Sequence, residues 1–257
     1  MAAVHRHGLR TVALTDHDTT SGWAEAAEAA TSLGMTLLPG MELSARHEWR
    51  SVHVLAYLVD PDHPGLRALT ERIRDSRLTR ARTMADRISR DYDLEWDDIV
   101  AQTATGATVG RPHIADALIA KGLVRDRGEA FADILHPRSD YYVALYAPDP
   151  VTAVGAIVAA GGVPIIAHPA GRAGLPAPLT ERMLEAGLAG YELGHRENQE
   201  PALGRLRDLA RRRDLIVTGS SDYHGLGKPN LPGENTTDDD MVARIIERAT
   251  GSAPVYP

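Results

Sequence analysis

"TVALTDHD" (residues 11–18) is a short apolar run that ends on an acid, an imidazole and a second acid. Five other stretches have the same form: "MTLLPGMELS" (35–44), "SVHVLAYLVD" (51–60), "GVPIIAHP" (162–169), "LAGYELGH" (188–195) and "LIVTGSSDYHG" (215–225). Each reads as a buried strand carrying His, Asp or Glu at or near its C-terminal end. Ala/Leu-rich helical stretches lie between several of them, at 21–33, 150–160, 177–187 and 200–213. Strand and helix in alternation predict parallel strands joined by right-handed crossovers. The C-terminal edge of such strands is where active sites form.

Residues 64–140 break this rhythm. "GLRALTERIRDSRLTRARTMADRISR" is one long helical pattern, with Leu66, Leu69, Ile73, Met84 and Ile88 near a 3.6 period. "DLEWDDIVAQTA" and "RPHIADALIAKGL" read as further helices, and "TTDDDMVARIIERATG" as a last one near the end. The expected organisation is a barrel domain formed by residues 1–61 and 141–257, interrupted by an all-helical insertion at 62–140.

The chain of 257 residues has no cysteine, which excludes disulfides and thiolate metal sites. Any metal must be held by His, Asp and Glu, a donor set suited to zinc, manganese or iron(II). No apolar run reaches the roughly 20 residues that a membrane helix needs. His5, Arg6, His7 and Arg10 break any signal-like segment at the start, so a cytoplasmic protein without membrane contact is expected. A net charge of −7 argues against duplex DNA as the main partner.

Asp222-Tyr223-His224, directly after an apolar strand, is the sharpest local motif. In an extended segment residues i and i+2 face the same side, so both side chains can enter one site. His168 ends the "IIAHP" strand, where Pro169 is expected to hold it extended. His53 stands among apolar neighbours, and Glu42 is a charge at a strand end. His17 is flanked by Asp16 and Asp18, which can orient its imidazole. Taken singly these are ordinary residues. Six of them along one edge, uncompensated, would be costly without a cation.

"ALTDHDT", "PGMELS", "VHVLAY", "AHP" and "SSDYHG" resemble, in this order, the motifs of the PHP (polymerase and histidinol phosphatase) superfamily. More narrowly, the chain resembles its stand-alone metal-dependent phosphoesterases, and the likeness extends to "RPHIA" and to "GENTT" (233–237). The resemblance implies an α/β fold, a distorted (β/α)7 barrel, with two or three divalent metal ions. It implies Glu42 as a bridging carboxylate, His53 and His168 on a second metal, Asp222 on the first, and His17 with His224 on a third. It also implies metal-bound hydroxide as nucleophile, acting on a nucleoside monophosphate, a 3′,5′-bisphosphate or short RNA ends. A histidinol-phosphate-type phosphatase and a non-catalytic, degenerate nucleotide-binding module are the alternatives.

The family pattern opens with a strand bearing D-x-H-x-H, then a helix leading to the strand before "TDHD". Here "AAVHRHGLR" reads as the end of that helix, with Gly8 as its stop. The expectation is a truncated chain without the first strand, binding one metal weakly through Glu42, His53 and His168 and impaired in turnover until the upstream segment is restored. His5 and His7, on a helix end, are too far apart in angle to share a metal.

Phosphate calls for positive charge, and Arg111 with His113 opens a helix behind Pro112, a suitable phosphate clamp. Lys228 follows the Asp222 loop and is a further substrate-binding candidate. His195, after "YELG", is the candidate catalytic residue, to contact phosphate or protonate the leaving group. The substrate expected is thus a small nucleotide phosphate or a short oligonucleotide.

Overall fold

The computed structural model describes residues 1–48, 50–103, 109–171, 174–225 and 229–257. The six apolar runs form the six strands of one open mixed sheet, in the order β1 (Thr11–Leu14), β2 (Thr36–His47), β3 (Arg50–Tyr57), β4 (Val163–Ile166), β5 (Gly190–Gly194) and β6 (Ile216–Gly219). β1 runs parallel to β2, and β4, β5 and β6 are parallel to one another.

β3 departs from the all-parallel expectation. It is antiparallel to β2 on one side and to β4 on the other. The reason is the length of the link. Only residues 48 and 49 separate β2 from β3, whereas a parallel crossover needs a dozen or more. The hairpin changes where chemistry lies on the strand. His53 stands near the beginning of β3, and because β3 is reversed its beginning lies at the same edge as the ends of the other strands.

β2 serves two neighbours in turn. Its first half pairs with β1, through Pro39, and its second half pairs with β3, from Gly40 onward. A β-carbon on Gly40 would stand 2.9 Å from the Thr15 side chain and 3.3 Å from the carbonyl oxygens of Ala56 and Leu14. The exchange of partners therefore needs a residue without a side chain.

The chain divides into two compact units, Met1–Leu69 with Pro148–Pro257, and Thr70–Ala147. In the first, α1 (Ala2–Arg6) precedes β1, so His5 and His7 sit before the strand whose far end carries His17. α2 (Trp23–Ser32) buries Ala26 and Ala30 over Met35 and Leu37. Leu38, Leu55, Ile165 and Ile216 meet Ile245 of α10 (Asp239–Arg248) in the central core. Each such aliphatic side chain adds about 1.5–3 kcal/mol when fully buried.

α3 (Pro64–Ile88) leads into the second unit, which holds α4 (Trp96–Ala101), α5 (Arg111–Ala120) and α6 (Arg127–Ala132). Met84, Ile88, Leu94, Ile99, Ile114, Leu118 and Leu135 form its own core. The chain re-enters the first unit before α7 (Pro150–Ala159), which Asp149 caps by accepting the Val151 N–H at 3.0 Å. α8 (Ala177–Glu185) and α9 (Ala202–Arg212) complete the crossovers to β5 and β6. Among the described residues, no helix is long and apolar enough to cross a membrane.

Candidate metal centre

Glu42 is the hub of the site. It lies on β2, only 7% exposed, and three imidazoles surround its carboxylate. His53 Nδ1 stands 2.6 Å and His168 Nε2 3.7 Å from Oε1, while His17 Nε2 is 3.8 Å from Oε2. Burial pushes this carboxyl up, but His17, His53 and His168 outweigh it and hold Glu42 well below the usual carboxylate range.

The sheet register explains the meeting. Ser44 is directly opposite His53 across the β2–β3 hairpin. Glu42, two residues from Ser44, shares its face and reaches His53 diagonally. His17 is brought in by a one-residue parallel bridge to Glu42: Asp18 N–H donates to Glu42 O and Glu42 N–H donates to Asp16 O, both at 3.1 Å.

Asp18 secures that bridge. It is fully buried, and its carboxylate accepts the Ser44 N–H at 2.7 Å and the Ser44 hydroxyl at 2.9 Å. Asp16, on the other side of His17, has its carboxyl pushed up by burial, offset in part by His17 and His224. A continuous run of side-chain contacts from His17, after β1, to Asp222 and His224, after β6, brings the two edges of the sheet to one site. The sheet curls, and the curl gathers the site.

From Glu42 the imidazoles continue in a row. Ring centroids are 5.0 Å apart for His17–His53, 5.3 Å for His53–His168 and 5.1 Å for His168–His195. His195 Nε2 then faces Asp222 Oδ2 at 3.7 Å, and Asp222 Oδ1 lies 3.2 Å from His224 Nδ1. All six expected ligands, with His195, thus lie along one connected line.

Two backbone expectations fail, with identifiable causes. His168 is not extended before Pro169; it has a left-handed φ of 34°. Its N–H is taken by the Glu192 carboxylate at 3.1 Å, which outweighs the pre-proline preference. Asp222 is left-handed as well, φ 51°. His224 meets it through a turn, donating from Nδ1 to the Asp222 carbonyl at 2.8 Å, and not through an extended strand.

The site passes a fit test for a cation. His53 Nδ1 is buried and has no hydrogen-bond partner of good geometry among the described residues. It lies 2.6 Å from Glu42 Oε1, so a nitrogen and an oxygen donor atom converge there. His17, Glu42 and His53 offer ligand atoms all within 4.8 Å of one another. Histidine nitrogen with carboxylate oxygen is the donor set of zinc, manganese and iron.

No family model matches the chain. It is 33% identical over 248 residues to the 3′,5′-nucleoside bisphosphate phosphatase of Chromobacterium violaceum, covering 92% of this chain and 85% of that protein. With a solved structure from Bifidobacterium adolescentis, named as a metal-dependent phosphoesterase, it shares 43% identity and a TM-score of 0.93 over 96% of this chain and 88% of the other. The chain belongs to the metal-dependent phosphoesterases. This phosphoesterase is also 36% identical over 169 residues to a 5′-3′ exoribonuclease of Haemophilus influenzae, covering 65% of this chain and 61% of that protein.

Two further residues of the phosphoesterase were not picked out by sequence. Glu192, on β5 and 2% exposed, supports His168 from beneath. Burial pushes its carboxyl up, and His195 and His168 pull it partly back. Its only cue was a charge inside the apolar run "GYELG", the same cue that marked Glu42. Asn198 links the same two loops, donating to Glu192 O and Leu193 O at 2.8 and 3.0 Å and accepting the Ala170 N–H at 2.8 Å.

Arg111 and His113 lie in the helical unit of the phosphoesterase, at the start of α5. Arg111 donates to Leu135 O at 3.3 Å and stacks near Phe131 and Tyr142. His113 Nδ1 accepts the Gly110 N–H at 3.0 Å, closing the helix start, and burial pushes its pKa down. Lys228 lies outside the described residues.

Proposed function

We propose that this chain is a PHP-type phosphoesterase that hydrolyses nucleotide phosphates, with the 3′,5′-bisphosphate of a nucleoside as first candidate and short RNA ends as second. The observation that carries the reading is the Glu42 carboxylate ringed by His17, His53 and His168. The 85% coverage of a bisphosphate phosphatase supports the order of candidates.

In this reading Glu42, His17, His53 and His168 hold the cation, and Asp222 and His224 complete its surroundings. A divalent ion bound there supplies Lewis-acid polarisation of a phosphoryl oxygen and acidification of water. The sequence leaves zinc, manganese and iron as candidates and two or three ions as the full complement. The distorted (β/α)7 barrel is the closed form of the curled sheet described above.

His224 and His195 play different parts, and their tautomers say why. His224 Nδ1 donates to a carbonyl, so in the neutral ring the lone pair is on Nε2, the tautomer a metal-binding imidazole needs. His195 Nδ1 lies 3.1 Å from the Glu197 N–H, and a backbone N–H can only donate. The neutral His195 ring therefore carries its proton on Nε2, toward Asp222. Losing that proton would create an imidazolate, so the catalytic role of His195 is that of a hydrogen-bond donor to negative charge and not of a proton donor. Arg111 and His113 enter the proposal as phosphate contacts on the strength of the sequence motif alone.

The test is phosphate release from a nucleoside 3′,5′-bisphosphate, a 5′-phosphorylated oligoribonucleotide and histidinol phosphate, with manganese or zinc added. Glu42→Gln should abolish it, and His195→Gln should lower kcat about a hundredfold. Stoichiometric metal binding with no release from any of the three substrates would reject catalysis in favour of a binding module.

A further inference from the structure

The segment containing "GENTT" wraps the end of β6. Thr237 Oγ1 accepts the Gly219 N–H at 3.0 Å and donates to Gly219 O at 3.1 Å. Asn235 Nδ2 donates to Ser220 O at 3.2 Å, and Asn230 Nδ2 donates to Ser221 O at 2.6 Å. Three consecutive carbonyls leading into Asp222 are thus held by side chains from residues 230–237. Asn230 is only 4% exposed, so its amide is a built-in part of this arrangement.

The wrapping segment is fastened in turn to the loop after β5. Arg196 donates from Nε and Nη2 to the two oxygens of Glu234 at 2.8 and 2.9 Å, and from Nη1 to Asn230 Oδ1 at 3.3 Å. Glu234 also accepts the Leu231 N–H at 3.0 Å. That backbone bond, with Arg196 beside it, holds its carboxyl below the usual range. Arg196 directly follows His195, and Ser220 N–H donates to Gly194 O at 2.9 Å, so the two loops meet just where His195 faces Asp222.

We propose that Arg196 and Glu234 are a positioning pair, tying the loop of His195 to the loop of Asp222 and His224. A planar guanidinium gripping both carboxylate oxygens fixes direction as well as distance, which a lysine cannot do. Outside support helps to hold Asp222 in its left-handed backbone, which costs free energy in an L-residue although aspartate tolerates it better than most. Among the described residues the bonds of the pair go to each other, to Asn230 and to Leu231, and a partly exposed ion pair adds little to global stability. Its effect is local order at the site. The catalytic consequence rests on the phosphoesterase reading; the ordering consequence does not.

The experiment uses the full chain and Arg196→Lys, Glu234→Gln and the swapped pair Arg196→Glu/Glu234→Arg. Hydrogen exchange of the Gly219, Ser220 and Asp222 amides is measured without metal, beside kcat and KM for the bisphosphate with manganese. Expected are exchange about tenfold faster at those amides alone, kcat lowered about 10–100-fold with KM little changed, and partial recovery of both in the swapped pair. Unchanged exchange at Gly219, Ser220 and Asp222, or acceleration spread evenly over the chain, overturns the proposal. If the parent chain releases no phosphate, the exchange data still decide the positioning role, and the phosphoesterase reading fails separately.

Discussion

Ser44→Ala is a small change with a large expected effect. The hydroxyl removed donates to Asp18 at 2.9 Å, with Ser44 2% exposed and Asp18 fully buried. A hydrogen bond to a charged acceptor contributes about 1.5–3 kcal/mol, and here no water can replace the lost donor. The second bond, from Ser44 N–H at 2.7 Å, survives, so the expected loss is about 2 kcal/mol. In a chain of this size that lowers Tm by roughly 4–8 °C. A urea titration of the metal-free protein should show an earlier midpoint at unchanged slope. The same substitution loosens the Asp18–Glu42 bridge that seats His17, so manganese or zinc should bind about 10–100-fold more weakly by calorimetry. A stability change below about 0.5 kcal/mol together with unaltered metal affinity would refute the account of Asp18 as the clamp on His17.

Three other expectations come from buried groups. Glu42→Gln should destabilise the metal-free protein at pH 7, with the deficit shrinking in acid. A depressed carboxyl contributes stability above its ordinary value of 4.5 that is lost as pH falls through the folded value; denaturation at pH 7 and pH 3 checks this. Glu192→Gln should act in the opposite sense. A raised carboxyl loses stability as pH climbs above its ordinary value of 4.5, and the full penalty is present once pH exceeds the folded value, so the neutral amide should raise Tm of the metal-free protein at pH 8 and leave it unchanged near pH 3, while metal affinity falls. A β-carbon on Gly190 would run into the Ile216 carbonyl of the neighbouring strand and the Ile165 side chain. Gly190→Ala should therefore cost about 3 kcal/mol or more, measured by denaturation.

The six strands and the ring of candidate ligands were legible because burial and charge conflict visibly in sequence. A histidine or acid inside an apolar run stands out, and that cue finds His53, His168 and Glu42. The reversed direction of β3 was less visible, because an apolar run has no direction of its own. Only the two-residue link at 48–49 records it. The left-handed backbones of Asp18, His168 and Asp222 were hidden altogether, since each depends on a partner far along the chain, such as Glu192 or Ser44. Glu192 itself carried the same cue as Glu42, but its partner His168 is joined to it only by the packing of β4 against β5.

The hairpin has a consequence for the order of assembly. Glu42 and His53 are close in the chain and need only the β2–β3 turn to meet, and hairpins form in about 1–10 μs. His17, His168 and Asp222 arrive later, because their strands and crossover helices must first dock and close longer loops. A folding chain therefore presents a carboxylate–imidazole pair before it presents a site. Metal ions present during synthesis would find this two-ligand nucleus first, and the ion captured there could bias which histidines close around it.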